Sequence, residues 1–204
     1  IAAFDGPLKA AEGLPAFQAD SRSGRIIQGA RGCGNSGILP FAAELLKLSN
    51  QYNKPVKIRL CDTLGFGLPW PESALPRSVP KLIVGLRQIG FPPEYLEWHG
   101  HNDLHKVQVN AAVAWMYGCC AANSSIFGVG ERTGNPPLEA MVIEHAQLRG
   151  MTKGIDYSAI TELADYARKE LGFEIPPNYP LVGRDFNVTR AGIHADGLLK
   201  DEEI

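Results

Sequence analysis

The sequence predicts an α/β fold of parallel strands joined by crossover helices, and two observations carry that prediction. From Ile38 onward, segments with strand character alternate three times with segments at helical spacing, and no hairpin signal separates them, so a helix must return the chain before each new strand. Each candidate strand also ends in a polar cluster: Asp62 with Thr63, His99 with His101, and Glu131 with Arg132 and Asn135. Strand carboxyl ends are where α/β barrels and open α/β sheets build their sites.

Residues 1–37 carry seven glycines and seven alanines with no sustained period of 2 or 3.6, and they read as loop without assigned function. Ile38, Phe41, Ala42, Leu45, Leu46 and Leu48 then recur at helical spacing, which predicts a helix of about 13 residues. Val56–Asp62 alternates as a strand does and runs into a glycine-supported turn, Thr63 to Gly67. After a proline-rich connection, Ser78 can cap a helix whose apolar face is Leu82, Ile83, Leu86 and Ile89 and which Gly90 ends. The segment Leu96 to His101 is the next strand, and the alanine-rich Val107 to Gly118, with Trp115 and Met116, is a helix buried on much of its surface. A short strand follows at Ala122 to Phe127. A glycine-rich loop then runs from Gly128 to Asn135, and a helix begins at Pro136 and Pro137 with Leu138, Met141, Val142, Ala146 and Leu148 as its apolar stripe. Beyond Gly150 the alternation stops. A helix from Ser158 to Gly172, with Ile160, Leu163, Ala164, Ala167 and Leu171 facing inward, leads into a proline-rich link and a mixed segment, Val182 to Gly197.

At 204 residues, 45% hydrophobic and 21% charged, the chain has the composition of an ordinary globular protein with a sizeable core. No apolar run is long enough for a membrane span, no signal peptide is readable, and a net charge of −2 argues against a nucleic-acid surface. Four cysteines without C-x-x-C spacing suit a reduced, cytoplasmic setting. The absence of an initial methionine, and an ending that reads as the opening of an acidic-started helix, suggest a piece of a longer protein.

The stretch Trp98-His99-Gly100-His101-Asn102-Asp103 carries the chemistry. Alternate side chains of a strand point the same way, so His99 and His101 would share a face and could take two positions around one divalent ion. Asn102 and Asp103 stand near enough to bond the outer nitrogens and fix the tautomers. An isolated H-x-H is more often two solvated histidines, Thr63 alone more often caps a turn, and His194 alone is more often structural. His105 and His145 read as surface or helix-packing residues, and Cys119 and Cys120 as inert core.

The motifs change those odds together. Cys61-Asp62-Thr63-Leu64-Gly65, His99-Gly100-His101-Asn102-Asp103, Gly128-Val129-Gly130-Glu131-Arg132-Thr133-Gly134-Asn135 and Ala191-Gly192-Ile193-His194-Ala195-Asp196-Gly197 resemble, in order, the HMGL-like metallolyase family of metal-dependent Claisen-condensing acyltransferases. This family includes isopropylmalate, homocitrate and Re-type citrate synthases, and the wording around Trp98, Leu104 to Lys106 and Arg184 to Arg190 is most similar to the Re-citrate type.

The resemblance implies a TIM (β/α)8 barrel of which residues 38–150 are the carboxyl-terminal half, with 151–204 the start of a small, mostly helical appended subdomain and 1–37 unassigned. It implies a divalent metal (Mn2+, Co2+, Zn2+ or Mg2+) on His99, His101 and Asn135, with Asn102 and Asp103 behind them. Thr63 and Asp62 would meet the substrate, and His194, Glu131 and Arg132 would be catalytic. Acetyl-CoA and a 2-oxo acid would be the partners, within a homodimer of the full-length protein. The reaction expected is condensation with oxaloacetate to give citrate. Homocitrate or isopropylmalate synthesis, lyase-type C–C cleavage, and an inactive metal-binding fragment remain as alternatives. The family's strand-one aspartate and its neighbouring arginine have no counterpart here.

Overall fold

The computed structural model describes residues 25–28, 38–150 and 154–189. The chain divides into two compact units, one ending at Gly150 and the other beginning at Met151. In the first unit four parallel strands lie in the order in which the chain makes them: β1 (Arg25–Gln28), β2 (Val56–Asp62), β3 (Leu96–Gly100) and β4 (Ala121–Ala122). Between them run α1 (Ile38–Gln51), α2 (Val79–Ile89) and α3 (Val107–Tyr117), and α4 (Leu138–Arg149) follows β4. The parallel α/β order read from the sequence therefore stands.

Local chemistry sets most of the boundaries. The Ser78 hydroxyl accepts the Lys81 N–H, and Pro80 sits in the first turn of α2, where a missing N–H costs nothing. Gly90 takes a left-handed conformation at φ 118° and returns its N–H to Leu86 and Arg87. Gly118 and Gly150 end α3 and α4 in the same manner.

Alternation along β2 and β3 divides the sheet into two faces. Pairing of Ile58 with Leu96 and Leu60 with Trp98 presents an apolar face, which packs on Val79, Ile83 and Leu86 of α2 and on Ala111 and Ala114 of α3. Arg59 opposite Glu97 and Cys61 opposite His99 occupy the other face, where the Arg59 Nε donates to Glu97 Oε2 at 3.0 Å.

In this unit three expectations need correction. The segment 1–37 is not all loop, because Arg25–Gln28 pairs along β2 from Arg25 opposite Val56 to Gln28 opposite Arg59. A strand with two apolar residues is too short to show a period, and the edge of β2 specifies it instead. The strand expected at Ala122–Phe127 shrinks to Ala121–Ala122, and Ile126–Gly128 is a 3-10 turn. The Asn123 N–H still reaches the Trp98 carbonyl at 2.9 Å, but the next free N–H groups turn to Pro136 and Glu139. In α4 Leu138 is exposed while Glu139 is buried, so the stripe is shifted by one position at its start.

The second unit is built on α5 (Ser158–Glu170), where Ala164 and Ala167 are buried. Leu163 and Leu171, expected inward, are 44% and 69% exposed, so the small residues rather than the large ones face the packed side. Among the described residues no helix is long and apolar enough to cross a membrane.

Candidate functional site

The loops after β2, β3 and β4 meet at the carboxyl ends of the strands. His99 closes β3 on the face shared with Arg59 and Cys61, and His101 follows one residue beyond the strand, its N–H bonded to the Asp62 carbonyl at 3.2 Å. The two rings stand edge to face with centroids 5.1 Å apart. His101 is buried, and its Nδ1 has no hydrogen-bond partner. Burial pushes the His99 imidazole below its ordinary pKa and the neighbouring His101 pushes it further, while the nearby Asn123 side chain opposes both. The neutral ring is the form that ligates metals.

Asn135 comes to the same place from the glycine-rich loop. Its Nδ2 donates to the Gly100 carbonyl between the two histidines at 2.9 Å, and its Oδ1 lies against Gly130, where a Cβ would stand only 2.0 Å from it. Two imidazoles, one with an orphaned buried nitrogen, and an amide oxygen are a donor set that a divalent first-row ion accepts. Among the described residues no group of three or more His, Cys, Asp or Glu side chains could hold a metal.

Asn102 and Asp103, expected to orient the histidines, are used elsewhere. The Asn102 Oδ1 accepts the Val107 N–H at 3.5 Å at the start of α3. The Asp103 carboxylate accepts from Arg132 Nε at 2.8 Å and Nη2 at 3.1 Å, and that bonding holds its pKa below the usual carboxylate range. Asn123, just after β4, lies near His99, and its buried amide oxygen has no hydrogen-bond partner.

Arg132 also donates to the Thr63 carbonyl and, from Nη1, to Glu131 Oε2 at 3.3 Å. Glu131 is exposed, and Thr63 is half-buried. The carboxylate of Asp62 turns back into its own loop, where Oδ2 accepts the Gly67 N–H at 2.9 Å; burial pushes this carboxyl up despite that bond. Asn110, buried on α3, donates from Nδ2 to the Gly67 carbonyl at 3.1 Å. A Cβ on Gly67 would stand 2.7 Å from Asp62 Oδ2 and 3.0 Å from Asn110 Nδ2, so only glycine fits between them. A cavity of about 530 Å3, walled by Ile58, Leu60, Leu82 and Leu86, borders Asp62, Thr63 and Arg132 but none of His99, His101 and Asn135. His194 lies outside the described residues.

Asn110, Asn123 and Glu139 had no signal in the sequence: polar residues on or beside elements read as solvent-facing unless a partner is known. His145, read as helix packing, does pack edge to face on Trp115 at 5.9 Å.

The profile of HMGL-like proteins matches residues 33–166. The chain belongs to the HMGL-like family. Within that family it is 55% identical over 167 residues to "Citrate (Re)-synthase" of Syntrophus aciditrophicus, covering 81% of this chain and 27% of the relative. It is also 55% identical over 168 residues to "Citrate (Re)-synthase" of Clostridium kluyveri, covering 82% of this chain and 37% of the relative. The chain thus spans well under half the length of these curated HMGL-like relatives. Among solved structures it resembles the carboxyl transferase domain of Rhizobium etli pyruvate carboxylase with 3-hydroxypyruvate, at a TM-score of 0.51 and 18% identity over 70% of this chain and 23% of that one. That likeness speaks to the fold alone.

Proposed function

We propose that this chain supplies part of the active site of a metal-dependent acyltransferase that condenses acetyl-CoA with a 2-oxo dicarboxylic acid, oxaloacetate first among them, to give citrate with Re-type stereochemistry. The convergence of His99, His101 and the Asn135 amide at the end of β3 carries the reading, and the 55% identity to two citrate (Re)-synthases favours oxaloacetate over other 2-oxo acids.

His99, His101 and Asn135 would hold the divalent ion, which when bound supplies Lewis-acid polarisation of the ketone. The Thr63 hydroxyl would bond a carboxylate of the 2-oxo acid. Glu131, exposed in the glycine-rich loop, and His194 are the groups assigned to proton transfer from the acetyl methyl. The resulting carbon nucleophile forms the new C–C bond at the ketone carbon, whose oxygen takes up a proton. Water then cleaves the thioester and releases CoA as the free thiol.

We further read residues 38–150 as the carboxyl-terminal half of a TIM barrel, whose remaining strands would cover the open sheet edges, and 151–204 as the start of an appended subdomain, in a homodimer. Cys119 and Cys120 are free thiols, in keeping with a cytoplasmic setting.

The deciding experiment follows thiol release from acetyl-CoA with Mn2+ while oxaloacetate, 2-oxoglutarate, 2-oxoisovalerate and pyruvate are supplied in turn. It is run on this chain and on the longest natural protein that contains it. Release with oxaloacetate from the longer protein is expected; silence from both with every acid overturns the synthase reading.

A further inference from the structure

We propose that Arg132, which the family resemblance marks as catalytic, is instead a positioning residue: a strap whose guanidinium locks the loops after β2, β3 and β4 into one body. Four of its five N–H groups are already committed. Nε and Nη2 form a fork on the Asp103 carboxylate of the β3 loop, Nη2 also meets the Thr63 carbonyl of the β2 loop, and Nη1 meets Glu131 of its own loop. A planar fork with five N–H groups can serve three acceptors in fixed directions, and with a single Nη1 N–H left over a substrate carboxylate could take it as a two-bonded partner only by breaking one of them.

The surroundings explain why a strap is needed. Within its loop Arg132 is wound against the ordinary backbone preference, at φ 52°, between glycines that take 66° at Gly128 and 91° at Gly134 freely. Such a conformation in a non-glycine residue persists only where neighbours hold it. Those neighbours are close: the Asn102 N–H donates to the Gly134 carbonyl at 2.9 Å, and a Cβ on Gly65 would stand 2.8 Å from the His101 carbonyl. Arg132 touches all three loops, and it sits three residues before Asn135 on the same turn. It therefore sets the spacing between Thr63, His101 and Asn135. Because its partners are partly exposed, its loss loosens the loops without unfolding the unit.

The consequence for metal binding rests on the reading proposed above, whereas the mechanical claim does not, and the test separates them. Amide hydrogen exchange on the full chain is followed by mass spectrometry for the wild type, Arg132→Gln, Arg132→Lys and the swap Arg132→Asp with Asp103→Arg. In Arg132→Gln we expect exchange in 62–68, 101–106 and 128–135 to rise together, roughly three- to tenfold, with β2 and β3 unchanged. Lysine keeps the charge but not the fork, so in Arg132→Lys segment 101–106 recovers in part while 62–68 stays fast. The swap restores 101–106 alone. A rise confined to 131–133, or full recovery of all three segments by lysine, overturns the strap. Mn2+ binding, read by electron paramagnetic resonance, is expected to weaken in Arg132→Gln although both histidines and Asn135 remain. Absence of Mn2+ binding by the wild type sinks the metal reading instead, and the exchange pattern still decides the strap.

Discussion

The loop after β2 is gripped twice, in two different ways. At its base the buried Gly67 is held by its N–H on the half-buried Asp62 carboxylate and by its carbonyl on the buried Asn110. At its tip the Thr63 carbonyl is tied from outside by Arg132, whose other partners are the carboxylates Asp103 and Glu131. The two grips push their carboxylates in opposite directions: burial raises Asp62, and the guanidinium lowers Asp103. A hydrogen bond to a buried backbone group is costly to lose because that group is left without water, whereas an exposed ion pair exchanges one set of partners for another. The base should therefore carry stability and the tip should carry position.

The sharpest way to break this division is at Gly67. Gly67→Ala drives a methyl against Asp62, Asn110 and Val79, and we expect it to cost about 3 kcal/mol by urea denaturation; a loss near zero would mean that the base yields freely. Asn110→Ala comes next. It leaves the Gly67 carbonyl without its donor in a buried place, at about 2 kcal/mol by the same measurement. Arg132→Gln should leave the urea midpoint where it is, and a midpoint shift as large as that of Asn110→Ala would erase the distinction between base and tip. The smallest effect calibrates exposed contacts elsewhere in the chain. Asp156 accepts from the Ser158 hydroxyl and backbone N–H at the start of α5, which hold its pKa below the ordinary carboxylate value. A depressed carboxylate contributes stability that is present above its unfolded pKa and is lost as pH falls through the lower folded value. Carbon-13 titration of Asp156 should thus show a midpoint below the usual range, and Ser158→Ala should bring it back toward that range.

Much of the architecture was legible because it is written in local chemistry. β2 and α2 could be read from alternation, the Ser78 cap and the Gly90 stop, and all three strand-end clusters lie at one end of the sheet. What escaped depends on partners far along the chain. Arg25–Gln28 becomes a strand only beside β2, and the short β4 stops pairing because Glu139, 12 residues beyond Phe127, takes that residue's N–H. The histidine pair and Asn135 were legible as a group, since the family pattern gathers them. Asn102 and Asp103 were assigned to the histidines by proximity in sequence, and proximity does not say which way a side chain turns. Asn110 and Asn123 looked like ordinary polar positions, and only the fold points them at Gly67 and His99.

The turn that opens α4 has one more implication. The Leu138 N–H bonds to the Ser125 carbonyl, the Ser125 N–H to the Pro136 carbonyl, and the Phe127 N–H to Glu139, so the segment carrying Arg132 and Asn135 leaves and re-enters the same helical turn. It is a ring of chain clasped at its neck, with no hinge of its own. Such a ring can be lengthened at its crest at small entropic expense, whereas an insertion at the neck would unclasp it and carry the amide of Asn135 away from the histidines.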